Sequence, residues 1–172
     1  MNRSLILLAL VAVATAAAET PASRFEALEY LAGHCWTARF DNGRTDEQCY
    51  DWLYGGRFLR SRHVVDSDPP YEGTTIFSWD PEKSRIRFHY FTSMGAVSEG
   101  YLEPDGDAIR IPETHVGEDG KTTAMETSYR RSGEREYRVA SREQTDEGWQ
   151  EMWTLIYRRV DSPASAQPST QP

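Results

Sequence analysis

Apolar and polar residues alternate most cleanly between Thr74 and Thr92, in TTIFSWDPEKSRIRFHYFT. Asp80-Pro81-Glu82-Lys83 at its centre suits a type I turn, with Asp at the first position and Pro fixing φ at the second. Pairing Trp79 with Ser84 sets Phe77 opposite Ile86, Thr75 opposite Phe88 and Gly73 beside Tyr90. Phe77, Trp79, Ile86, Phe88 and Tyr90 then share one face, and Ser78, Arg85, Arg87 and His89 take the other. A period of two with a coherent apolar face predicts a β-hairpin.

The same period recurs along the chain. It predicts about ten strands, near 34–41, 45–54, 57–66, 71–79, 85–92, 96–103, 107–115, 121–130, 134–144 and 148–159. Short links such as Asn42-Gly43, Gly55-Gly56, Gly95, Asp105-Gly106 and Asp119-Gly120 separate them, so consecutive strands pair antiparallel as an up-and-down meander. Closing on itself is the best way for such a meander to hide its edges; a two-sheet sandwich is the alternative. One helical pattern precedes the strands. Phe25, Leu28 and Leu31 predict a short helix over 24–31, started by a Ser23–Glu26 capping box and stopped by Gly33. Its apolar stripe suits one end of a barrel.

Register arguments assign faces. A three-residue loop over Asp41-Asn42-Gly43 sets Trp36 opposite Gln48 and gathers Trp36, Ala38, Phe40, Tyr50 and Trp52 inside. The same loop sets Cys35 opposite Cys49 on the outer face, where a cross-strand disulfide is geometrically feasible; two reduced, buried thiols are the alternative. Tyr54 opposite Arg57 brings Leu59, Ser61, His63 and Val65 to the Trp52 face. Thr92 opposite Gly95 brings Val97, Glu99 and Tyr101 beside Tyr90. In the last hairpin Arg142 faces Glu151, while Tyr137, Val139 and Ser141 face Ile156, Thr154 and Met152.

The N-terminus has a different pattern. Arg3, the apolar run Leu5–Val13 and Ala16-Ala17-Ala18 read as a signal peptide over 1–18, cleaved after Ala18. The run is too short to cross ~30 Å of hydrocarbon at ~1.5 Å per residue, so no membrane anchor is expected. The β-barrel domain then occupies 19–160, and a Ser/Pro/Ala/Gln tail over 161–172 is expected to be disordered. Export places the protein in the periplasm or outside the cell, where a disulfide persists. The net charge of −8, with scattered basic residues, argues against nucleic-acid or anionic-membrane partners.

The sequence shows no metal-binding spacing among His34, His63, His89 and His115, no nucleophile elbow and no phosphate loop. No cofactor or catalytic residue is assigned. The bulky inward residues of the first six strands outline a pocket instead: Trp36, Trp52, His63, Phe88, Tyr90, Glu99 and Tyr101. Aromatic walls with polar tips suit a small apolar or aromatic molecule. Two alternatives stand beside a binding barrel. One is a hydrolase- or isomerase-like enzyme using a lumen acid or base; the other is a filled structural or interaction barrel.

Leu31-Ala32-Gly33-His34-Cys35-Trp36 resembles the "LxGxW" start of calycin-type barrels, the lipocalin and fatty-acid-binding superfamily. Gly55-Gly56-Arg57-Phe58-Leu59, Trp79-Asp80 and Gly148-Trp149 through Arg159 are similar to a bacterial family of uncharacterised lipocalin-like proteins. The resemblance implies a barrel with a plugging helix and a small-molecule pocket. It supplies no catalytic residues.

Overall fold

The computed structural model describes residues 21–161, so the expected signal peptide over 1–18 and the tail beyond Asp161 lie outside it. Eleven strands follow one helical segment: β1 (Cys35–Arg39), β2 (Thr45–Leu53), β3 (Phe58–Val65), β4 (Tyr71–Asp80), β5 (Arg85–Thr92), β6 (Val97–Tyr101), β7 (Glu103–Asp105), β8 (Ala108–Val116), β9 (Thr122–Arg131), β10 (Glu136–Thr145) and β11 (Gly148–Val160). Neighbours in sequence are neighbours in the sheet from β6 back to β1, and from β11 back to β8. β1 pairs with β11, and β6 pairs with β8, which closes the ring. β7 continues β6 past Leu102 in the same register against β8. The result is an all-β, closed, ten-strand antiparallel barrel with β7 as an extra short strand; the sandwich alternative falls.

The N-terminal segment differs from its expectation. It is a 3-10 helix over Pro21–Leu28, not an α-helix over 24–31, and Phe25 within it leaves helical φ/ψ. Three-residue bonds continue past it, from Glu29 N–H to the Glu26 carbonyl and from Leu31 N–H to that of Leu28. Ser23 lies inside this segment rather than just before its start. The reason is spacing: side chains three apart eclipse on a 3-10 helix, whereas on an α-helix they drift around the axis. Phe25, Leu28 and Leu31 thereby point the same way and are almost fully buried. They plug one end of the barrel over Trp36, Tyr50, Leu59, Phe77 and Tyr137. Trp52 meets Phe25 edge-on at 5.6 Å, and Trp36 meets Tyr137 at 4.9 Å.

Register follows turn chemistry. Cys35 pairs with Cys49 across β1 and β2, with Cα atoms 4.0 Å apart, and the two form a disulfide. Trp52 pairs with Leu59, as expected. In the central hairpin Asp80 pairs with Arg85 and Phe77 with Phe88, two residues away from the expected register. Ser84 adopts φ +50° and extends the loop, while Asp80 Oδ1 accepts the Glu82 and Lys83 N–H groups. A two-residue slip preserves faces, so Phe77, Ile86, Phe88 and Tyr90 still point inward. In the β5–β6 hairpin the slip is one residue. Thr92 bonds Ala96, leaving Ser93, Met94 and Gly95 in the loop, with Gly95 at φ +80°. Tyr90 therefore pairs with Ser98 and His89 with Glu99. One residue reverses every side chain, so Glu99 and Tyr101 face outward, contrary to expectation.

The last hairpin is right only near its turn. Arg142 does face Glu151, but a bulge between Ser141 and Arg142 then sets Tyr137 opposite Tyr157 and Val139 opposite Leu155. The Arg142 guanidinium bonds Glu126 at 2.6 Å rather than Glu151, and Arg110 reaches the same carboxylate at 3.2 Å.

Candidate functional site

The plug fills only one half of the lumen. The other half is an open cavity of about 1100 Å³. Methionines and aliphatic side chains of β9–β11 line one side, among them Met125, Val139, Met152 and Leu155. On the other side, β2 to β8 contribute a belt of polar groups among phenylalanines.

The centre of that belt is a chain of hydrogen bonds. On β2, Asp46 and Gln48 share parity with Tyr50, so both point inward, and Asp46 is 3 % exposed. Its Oδ2 accepts the Tyr157 hydroxyl at 2.5 Å, and its Oδ1 lies 3.1 Å from His63 Nδ1. His63 Nε2 lies 2.8 Å from the Tyr90 hydroxyl, which lies 2.8 Å from the Tyr71 hydroxyl. With Nδ1–H donated to the Asp46 carboxylate, Nε2 carries the lone pair that receives the Tyr90 proton. Four neighbouring strands supply this chain, with Tyr157 entering from β11.

Gly73 makes the His63–Tyr90 contact possible. It pairs with His63 on β3, and Tyr90 lies diagonally across on β5. A Cβ at Gly73 would overlap His63 Nε2 and Tyr90 Cε2 and stand 2.7 Å from the Tyr90 oxygen. The imidazole and the phenol meet in the space that side chain would occupy.

Electrostatics keep these phenols protonated. Burial first, then the Tyr71 and Asp46 neighbours, push the Tyr90 hydroxyl far above the usual tyrosine range. Burial also raises Tyr71, and burial with Asp46 raises Tyr157. Deeper in, Tyr137 stacks on Tyr157 at 4.9 Å and donates to Gln48 Oε1 at 2.8 Å.

A second polar group continues the belt. Ser98, opposite Tyr90 on β6, lies 2.9 Å from His115 Nδ1 on β8. Glu113 accepts the Thr127 hydroxyl at 2.8 Å, and burial raises its carboxyl above the usual range. Ser61, one residue from Tyr90's partner Thr75 in the cross-strand row, is 1 % exposed, and its hydroxyl has no hydrogen-bond partner among the described residues.

The expected pocket residues separate into three places. His63, Phe88 and Tyr90 line the cavity. Trp36 and Trp52 lie in the plugged half, because β1 and the ends of β2 and β3 meet the N-terminal segment there. Glu99 and Tyr101 lie outside: Glu99 bonds Arg87 at 2.6 Å, and Tyr101 donates to Asp80 at 2.8 Å. Sequence reasoning missed Asp46, Tyr71, Ser98, Glu113 and His115. Asp46 and Tyr71 were within reach, since each has the parity of an inward aromatic on its own strand. Ser98 and the β8 residues depended on the β5–β6 loop length.

No protein-family model matches the chain, and no curated protein matches it.

Proposed function

We propose that this protein is an exported barrel that binds a small apolar or aromatic molecule in the open half of its lumen. The observation that carries the reading is the cavity of about 1100 Å³, with aliphatic and methionine walls and a few convergent polar groups. Small-molecule sites have this composition and a volume of roughly 300–1,000 Å³. A filled structural barrel would close both halves, and the half away from the plug is open. The Cys35–Cys49 disulfide is weakly consistent with an oxidising compartment. The ten-strand meander plugged at one end supports the calycin-like reading of the opening motif.

Nile red, a neutral dye whose fluorescence rises in apolar surroundings, tests the proposal. Thr75 and Val139 line the cavity from strands on opposite sides of the ring. Changing both to Trp places two indoles across the lumen. The wild type should bind the dye saturably, and the double variant should lose most of that binding while keeping its β-sheet circular dichroism. Equal dye binding by both proteins would refute the lumen as the site.

One observation favours a second reading, that of an acid–base enzyme. Asp46, His63 and Tyr90 have the connectivity needed to move a proton to or from a bound molecule. Chemical conversion of a bound ligand by the wild type, absent in His63→Gln at equal affinity, would support it.

A further inference from the structure

The polar belt also says which head group the ligand carries, an inference that rests on the binding reading above. We propose that the Tyr71–Tyr90 hydroxyl pair is the anchor for a neutral hydroxyl group on an otherwise apolar ligand, and that the pocket discriminates against carboxylates.

Three observations lead there. The first is hydrogen-bond capacity. Tyr90 oxygen contacts His63 and Tyr71, and Tyr71 also bonds Thr92. A phenol has one proton, and in the chain running from Tyr71 through Tyr90 to His63 both phenol protons are spent, so a ligand group at this pair has to donate to a phenol oxygen. A ligand hydroxyl donates to it. A carboxylate, which only accepts, meets oxygen lone pairs.

The second is the local field. Asp46 lies directly behind His63, and both its oxygens are engaged, by Tyr157 and by His63. The burial and nearby negative charge that hold Tyr90 protonated act equally on a ligand anion placed beside it. Glu113, on the same belt, is driven toward its neutral form by burial.

The third is where the cations are. Among the described residues that line the cavity, the arginine and lysine are Arg44 and Lys121, both exposed and both in turns outside the strands. Neither forms part of the Asp46–His63–Tyr90–Tyr71 chain. A buried anion needs a paired charge, and on this floor the acids Asp46 and Glu113 are joined by imidazoles and phenols. His63 is already committed to Asp46, and His115 to Ser98.

Three probes of one ring size separate the possibilities: naphthalene, 2-naphthol and 2-naphthoate, titrated at neutral pH by calorimetry. The wild type should bind 2-naphthol roughly tenfold more tightly than naphthalene, for one or two added hydrogen bonds, and 2-naphthoate more weakly than either. Tyr71→Phe and Tyr90→Phe, alone and together, should bring the ratio of naphthol to naphthalene affinity, read within each variant, toward one. The wild-type comparison needs no variant to fold. Tightest binding of 2-naphthoate, or a naphthol advantage that survives the double substitution, would overturn the inference. Naphthalene binding with no preference for naphthol would overturn the head-group inference while leaving the pocket intact. No binding of any probe would overturn both.

Discussion

Replacing Gly73 with Ala tests whether the lumen's polar chain is a built structure or a loose set of neighbours. The new methyl would overlap His63 Nε2 and Tyr90 Cε2 and lie 2.7 Å from the Tyr90 oxygen, against an ordinary carbon contact of about 3.5 Å or more. Both rings border the open cavity, but each is tethered. His63 is tied to Asp46 and Tyr90 to Tyr71. Separating the rings breaks the His63–Tyr90 bond and leaves both groups short of a partner, about 1–3 kcal/mol. Forcing a methyl into a packed site adds about 1–3 kcal/mol. The entropy that Ala removes from the unfolded chain offsets about 0.5–1 kcal/mol. The net expectation is a loss of about 3 kcal/mol. At about 4 °C per kcal/mol for a domain of this size, the melting temperature should fall by about 10 °C. Urea titration and calorimetry of Gly73→Ala, beside Tyr90→Phe and the double variant, give the answer. The two losses should add to more than the double variant shows, by about 1 kcal/mol, because both act on one bond. A Gly73→Ala protein as stable as the wild type would refute the account of how the site is assembled.

Other perturbations follow from the same geometry. Ser61→Ala removes a buried hydroxyl that has no partner among the described residues and should stabilise by about 1 kcal/mol in urea melts; a loss of that size would show that the hydroxyl is satisfied. Burial raises the Glu113 carboxyl in the folded state, so the native protein holds that proton more tightly than the unfolded chain does. Stability contributed by the bound proton is full below the unfolded carboxyl range and is lost as pH rises through the raised folded value. Glu113→Gln should therefore raise the melting temperature at neutral pH and change it little in acid, and a gain confined to acid would contradict the assignment. Replacing both Cys35 and Cys49 with Ala removes a cross-link with sequence separation 14. It should cost about 3 kcal/mol by the chain-entropy estimate for a loop of about 15 residues, measured by denaturant titration under non-reducing conditions.

Strand positions and closure were legible because alternation and Gly-rich turns carry them locally. Asp41-Asn42-Gly43 set the β1–β2 register, and with it the disulfide, since Gly43 at φ +87° lets a three-residue loop close. Gly95 misled at β5–β6. A glycine beside Ser93-Met94 fits a two-residue or a three-residue loop, and only the longer one places Glu99 and Tyr101 outside. The bulge at Ser141 has no local signature, so Tyr137 and Tyr157 could not be paired from the chain alone. In the N-terminal segment, the spacing of Phe25, Leu28 and Leu31 by threes was itself the 3-10 signal. The candidate site was legible by strand but not by level. Parity put Trp36, Trp52, His63 and Tyr90 on one face, but which end the plug fills depends on packing between Phe25 and Trp52. The chain from Asp46 to Tyr71 joins residues on separate strands, and no spacing along the sequence encodes it.

The methionines give the most direct test of the pocket. The chain has four; Met1 precedes the described residues, and Met94, Met125 and Met152 all line the cavity. Protein labelled with carbon-13 at the methionine methyls and lacking residues 1–18 should give three methyl resonances. Titration with 2-naphthol should move them together and saturably, with Met125 and Met152 shifting most because they stand on the apolar wall. Saturable binding of the probe with all three resonances unmoved would place the ligand elsewhere and contradict the account.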